Sequence, residues 1–176
     1  NTFTNYRHDP DDPASLPNNG VPAVFVDREG MVWLASVAGG LVRLDPATET
    51  FTHYLYDADD TTSLSDPSVW MSYQDHSGTL WVGTGLPFPW VSPDKGGLNQ
   101  FHPESGTFTR YLPDPENPNS LSNNHVLSIL QDQSGTNWIG TENGLCRLEF
   151  DEKGKEQRET DQDLIGGCLR RAQRLA

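Results

Sequence analysis

The sequence predicts an all-β fold built from repeated four-stranded units. Three observations carry that expectation: a motif set that returns three times, short strand-like runs between turn residues, and no convincing helical period in the repeated region. Val26-Asp27-Arg28-Glu29-Gly30-Met31-Val32-Trp33-Leu34 recurs as Gln74-Asp75-His76-Ser77-Gly78-Thr79-Leu80-Trp81-Val82, and again as Gln131-Asp132-Gln133-Ser134-Gly135-Thr136-Asn137-Trp138-Ile139. The tryptophans stand 48 and then 57 residues apart. Gly39-Gly40-Leu41 returns as Gly96-Gly97-Leu98 and, more weakly, as Asn143-Gly144-Leu145. Phe3-Thr4-Asn5-Tyr6 returns as Phe51-Thr52-His53-Tyr54 and Phe108-Thr109-Arg110-Tyr111, and Ser15-Leu16 as Ser63-Leu64 and Ser120-Leu121. Four markers in one order, three times, define a repeat.

The elements of one repeat follow in order. Residues 21–26, 31–35, 41–44 and 51–55 are short, rich in β-branched and aromatic side chains, and bounded by Gly, Pro, Asp and Asn, as strands are. The Asp-x-x-Gly piece between the first two suits a tight turn: Asp bonds its own backbone two residues on, and Gly takes the positive φ that closes it. Asp45-Pro46 and His102-Pro103 open a second turn. Four antiparallel strands in about 48 residues is the size of one β-propeller blade. The expected architecture is therefore all-β, about three propeller blades belonging to a larger ring of six to eight. The repeats are 1–50, 51–107 and 108–150, and 151–176 is a polar tail or linker, helical or disordered. Residues 3–6 read as the outermost strand of a blade whose inner strands are missing, and the last repeat reads as a blade lacking its outer strand. Open strand edges and apolar flanks would then need further blades or a second copy to cover them.

Three pieces carry a family resemblance. Asp132 to Thr141 (Asp-x-x-Gly-x-hydrophobic-Trp-hydrophobic-Gly-Thr), Gly96-Gly97-Leu98-Asn99, and Asp114 to Ser122 (Asp-Pro-x-Asn-Pro-x-Ser-Leu-Ser) resemble two-component regulator propeller repeats. The first repeat departs from the pattern at Ala35-Ser36, where the others have Gly83-Thr84 and Gly140-Thr141. The resemblance implies the sensor region of a hybrid two-component histidine kinase or a propeller-linked diguanylate cyclase, placed in the periplasm or outside the cell. It also implies a small extracellular ligand, oligosaccharides among the candidates.

Composition narrows the partners. The chain holds 12 Lys+Arg and 25 Asp+Glu, and residues 151–176 contain six of each sign, so residues 1–150 carry the whole −13. A body this acidic repels phosphate backbones and anionic membrane surfaces, which argues against nucleic acid and against direct membrane insertion of this segment. No apolar run approaches a membrane span. Cys146 and Cys168 are too few for a disulfide scaffold and lack metal spacing, and Cys168 reads as incidental.

A tryptophan at one fixed point of each repeat (Trp33, Trp81, Trp138) reads as packing between blades. The paired Asp and Gly of each turn (Asp27 and Gly30, Asp75 and Gly78, Asp132 and Gly135) read as structural caps. Acidic loops at 8–13, 57–60 and 113–117 place oxygen side chains at alternate spacing, yet none has the Gly and distal Glu of a calcium loop, so neither metal nor cofactor is predicted. The five histidines show no HxH or HExxH spacing, and no catalytic triad or phosphate loop is legible. A non-catalytic module is expected. The alternatives are a propeller lyase or hydrolase working from its axial face, for which His125 is the one well-placed histidine, or a protein-interaction scaffold.

One feature breaks the repeat. From the tryptophan to the second Gly of the Gly-Gly-Leu marker is 7 residues in the first repeat and 6 in the third, but 16 in the second. The excess, Leu86-Pro87-Phe88-Pro89-Trp90-Val91-Ser92-Pro93-Asp94-Lys95, holds three prolines and two aromatics. Prolines lower the entropy lost on ordering, and loops that depart from a rigid scaffold carry function. Phe88, Trp90 and Lys95 are therefore the expected ligand contacts, with packing of the loop on a neighbouring blade as the alternative.

Overall fold

A computed structural model describes residues 1–85 and 95–148, together with the backbone of 166–168. Twelve strands form three four-stranded antiparallel sheets, and no helix occurs among the described residues. The first blade is β1 (Ala23–Val26), β2 (Val32–Ser36), β3 (Gly40–Asp45) and β4 (Thr50–Tyr54). The second is β5 (Val69–Gln74), β6 (Leu80–Thr84), β7 (Gly97–His102) and β8 (Thr107–Tyr111). The third is β9 (Val126–Gln131), β10 (Asn137–Thr141), β11 (Gly144–Leu148) and β12 (Gly166–Cys168). Each sheet meanders from inner to outer strand, and the sheets stand side by side: β5 packs on β1 and β2, and β9 on β5 and β6. The sequence repeats start on the outer strand of the preceding blade, so each blade straddles two of them.

The turns hold for the reasons the residues suggest. In the first blade the Asp27 carboxylate accepts the amides of Glu29 and Met31 at 2.9 Å each, and Gly30 closes the turn at φ 86°. The later copies repeat this, Asp75 taking Ser77 and Thr79, and Asp132 taking Ser134 and Thr136. Serines at 15, 63 and 120 staple the connecting loops. Ser63 Oγ, for example, accepts the Asp57 amide at 2.8 Å and donates to the Asp57 carbonyl at 3.0 Å. The leucine that follows drops inward, and Leu16 and Leu64 are buried.

The two packed interfaces bury the apolar faces. Trp33, Leu41, Leu64, Val69, Val82, Phe101 and Phe108 fill the seam between the first two blades. Trp81, Leu98, Val126, Ile139, Cys146 and Leu148 fill the next. Glutamines staple the neighbouring turns. Gln74 donates to the Gly78 carbonyl and accepts the Arg28 amide, and Gln131 does the same with Gly135 and His76.

Three expectations change. Residues 3–6 lie in no strand, and Phe3 is 91% exposed, because among the described residues no strand edge runs beside them to pair with. The third blade does not lack an outer strand, since β12 pairs antiparallel to β11. Cys168 is not incidental either. It stands opposite Cys146 in that ladder, and Cys146 is disulfide-bonded.

Candidate functional site

The repeated aspartate does two jobs, and the second was not legible from spacing. While one carboxylate oxygen takes turn amides, the other accepts the indole N–H of the tryptophan six residues on: Trp33 to Asp27 at 2.7 Å, Trp81 to Asp75 at 2.9 Å, Trp138 to Asp132 at 2.8 Å. A buried indole needs such a partner, and an anionic acceptor is a strong one. For Asp132 the Ser134 hydroxyl, then the Trp138 indole, hold the carboxyl down at about 2. Burial pushes Asp75 up, but the Ser77 hydroxyl, the Trp81 indole and the turn amides together outweigh it, leaving the group below its ordinary value. These six side chains, with Gly30, Gly78 and Gly135, are held inside the fold's own turns.

A different set of groups gathers at the base of the long loop. The loop departs at Gly85 and returns at Lys95-Gly96, all on the side where the segments linking one blade to the next also run. The backbone is tight here. A Cβ on Gly96 would lie 2.5 Å from the Asn124 carbonyl oxygen, and one on Gly85 would lie 2.8 Å from His125 Cδ2. With φ of 97° at Gly85 and 118° at Gly96, both positions require glycine. His125 is 4% exposed, and its Nδ1 sits 2.7 Å from the Glu142 carboxylate, tying the start of β9 to the β10–β11 turn. Asp66 is buried close by and accepts the Ser68 amide. Burial raises its carboxyl, against that amide and the charges of Lys95 and His125.

Of the three expected ligand contacts, Phe88 and Trp90 lie outside the described residues. Lys95 is exposed, its Nζ 5.4 Å over the Tyr56 ring, which also faces the Arg110 guanidinium at 6.0 Å. Among the described residues, no three His, Cys, Asp or Glu side chains converge as metal ligands would. What the base of the loop offers is a rigid, glycine-locked frame with one ammonium on its rim and a carboxylate and a histidine–glutamate pair behind.

Bladed four-stranded sheets of this kind are those of a propeller. Two stretches, residues 63–85 and 120–143, match the family model described as two component regulator propeller. Among solved structures, the chain is similar to the extracellular domain of a putative hybrid two-component system from B. thetaiotaomicron. The two share 26% identity at a TM-score of 0.66, over 85% of this chain and 18% of that one. A putative gluconolactonase shares the fold, at 12% identity and a TM-score of 0.54 over 83% of this chain and 47% of its own. Among curated proteins, Histidine kinase P4 of Formosa agariphila is 46% identical over 41 residues, 23% of this chain and 3% of that protein. The chain thus spans a small fraction of its signalling relatives.

Proposed function

We propose that this chain is part of the ligand-sensing propeller of a two-component signalling receptor, held outside the cytoplasm and acting without catalysis of its own. The observation that carries the reading is the similarity, over 85% of the chain, to the extracellular domain of a hybrid two-component system. The repeat-family match at 63–85 and 120–143 supports it. No described helix is long and apolar enough to cross a membrane, so an anchor and an output domain, kinase or cyclase, would come from other parts of a longer protein.

The ligand class is a small extracellular molecule, an oligosaccharide first, met by Phe88 and Trp90 on the proline-stiffened loop with Lys95 at its base. Aromatic faces suit the apolar faces of sugar rings, and the rigid glycine frame limits the entropy lost on binding. A thermal-shift screen of oligosaccharides, followed by Phe88→Ala with Trp90→Ala, tests this. The expected result is lost binding at an unchanged melting temperature; a double variant that unfolds while binding per folded molecule is unchanged makes the loop a packing element.

The remaining partners are further blades or a second copy. Val24 and Val26 on the free face of the first blade are each 61% exposed, and Leu130 and Leu145 on the free face of the third are 63% and 48% exposed. Apolar sheet faces of this kind are where blades meet. Light scattering after size exclusion is expected to show association of the isolated chain; a stable monomer with a cooperative melt contradicts it.

A further inference from the structure

The outer strand of the third blade is held differently from the other two. β4 and β8 each pair over five residues with the strand inside them, and four-residue turns, 46–49 and 103–106, join each to that strand. Their side chains also reach the cores: Tyr54 and Phe108 pack in the seam between the first two blades, and Tyr111 in the next. β12 is three residues long. It pairs Gly166, Gly167 and Cys168 with Leu148, Arg147 and Cys146, and lies beyond the 17 residues 149–165. Glycine brings no side chain to a seam and loses the most freedom when fixed in a strand, and closing a longer connection costs more entropy. What this strand itself contributes to its docking is a three-pair ladder and one cysteine.

Cys146 is disulfide-bonded, and Cys168, directly opposite it in the ladder, is the one other cysteine of the chain. The place of Cys146 in the fold does not depend on that bond. It is 5% exposed, in the seam with Trp81, Leu98, Val126 and Ile139. It also stands where Asn99 stands in the second blade. Asn99 Oδ1 accepts the Ser65 amide at 3.0 Å, and Cys146 Sγ accepts the Ser122 amide at 3.4 Å, with Ser122 Oγ 3.2 Å away. A thiol sulfur accepts such a bond as a disulfide sulfur does. Cys146 therefore holds the loop before its blade in either redox form, and only the covalent hold on β12 depends on the S–S bond.

We propose that the Cys146–Cys168 disulfide is a redox-operated latch. Oxidised, it keeps 166–168 as the outer strand of the third blade. Reduced, it frees that strand, from which the chain runs on to Ala176, while the seam stays packed. Outside the cytoplasm a disulfide forms and persists, so opening this one takes a dithiol: a thiol–disulfide exchange protein or its small-molecule equivalent. One thiolate of the dithiol attacks a protein sulfur and forms a mixed disulfide, and its second thiol then displaces that sulfur. The reductant leaves as a disulfide, and its two electrons, with two protons, stay on Cys146 and Cys168 as thiols. This goes beyond the sensor reading and uses none of Phe88, Trp90 or Lys95, so either proposal can fail alone.

Hydrogen exchange of the 176-residue protein, read by mass spectrometry with and without dithiothreitol and in the absence of denaturant, tests it. The expected result is reduction of the native protein, exchange at 166–168 faster by about tenfold or more, and unchanged protection in β6, β7 and β10. Iodoacetamide should then label Cys168 faster than the buried Cys146 by about tenfold or more. Cys168→Ser, which leaves Cys146 in the seam, should match the reduced protein and ignore dithiothreitol. Four results would overturn the latch and make the bond a structural staple. They are a bond that opens only in denaturant, protection at 166–168 that survives reduction or Cys168→Ser, equal labelling of the two cysteines, and opening of β6, β7 and β10 together with 166–168.

Discussion

Among the described residues, the seam between the first and second blades is closed by a cluster of four rings, and the seam between the second and third by aliphatic side chains around Trp81, with Tyr73 and Tyr111 against them. In the first, Trp33, Tyr54, Phe101 and Phe108 form a continuous cluster, with centroid separations of 4.8 to 6.2 Å. In the second, Trp81 meets Tyr111 at 5.8 Å, and Leu148 and Gly166 occupy the positions of Phe101 and Phe108. The same motifs build both seams. The difference lies in the outer strand, which carries Phe-Thr-x-Tyr in the first two blades and two glycines in the third.

The largest effects should separate the two seams. Trp81 is fully buried between the second and third blades, so Trp81→Ala should cost about 3–5 kcal/mol in urea unfolding. Trp138, with the same aspartate bond but a half-buried ring on the free face of the third blade, should cost clearly less. Equal losses would mean that the indole–carboxylate bond, rather than the seam, sets the value. Next, Asp75→Ala leaves the buried Trp81 N–H and two turn amides without their acceptor, and about 2–3 kcal/mol should be lost. Asp75→Asn, whose single carbonyl oxygen can still accept the turn amides while its NH2 faces the Trp81 indole N–H, should recover only part of that.

Acid should erode the turns before the seams. Asp75 and Asp132 are both held below the ordinary 3.8, Asp132 at about 2. A carboxyl depressed in the folded state contributes stability that is complete above its unfolded value and is lost as pH falls through the folded one. Melting temperature should therefore hold from neutrality to about pH 4.5 and drop between roughly pH 4 and pH 2. A flat profile down to pH 2 would remove the indole–carboxylate link from the account. The smallest effect has the opposite sign. Burial raises the Asp66 carboxyl, so its ionised form opposes folding at pH 7, and Asp66→Asn, which keeps the acceptor for the Ser68 amide, should raise Tm by about 2 °C. That gain should vanish near pH 3, where Asp66 is itself protonated.

The blades were legible because their information is local and repeated: an Asp-x-x-Gly turn and a fixed tryptophan state a hairpin within about eight residues. The bond between that aspartate and its tryptophan was hidden in plain spacing. Read separately, the two residues gave a cap and a packing residue, and only the hairpin brings them within 3 Å. Residues 3–6 misled because their pattern specifies a strand only where a neighbouring edge exists to pair with. The pairing of Cys146 with Cys168 depends on a register across an intervening segment of 21 residues, which no local rule reaches.

Native-state hydrogen exchange tests most directly whether the two seams differ as described, since it reads local opening strand by strand. The account predicts that amides of β6 and β7, between two packed faces, are the slowest in the chain, and that those of β10 and β11 exchange faster by about tenfold or more. Uniform protection across β6, β7, β10 and β11 would contradict it, because the third blade would then be as firmly closed as the second.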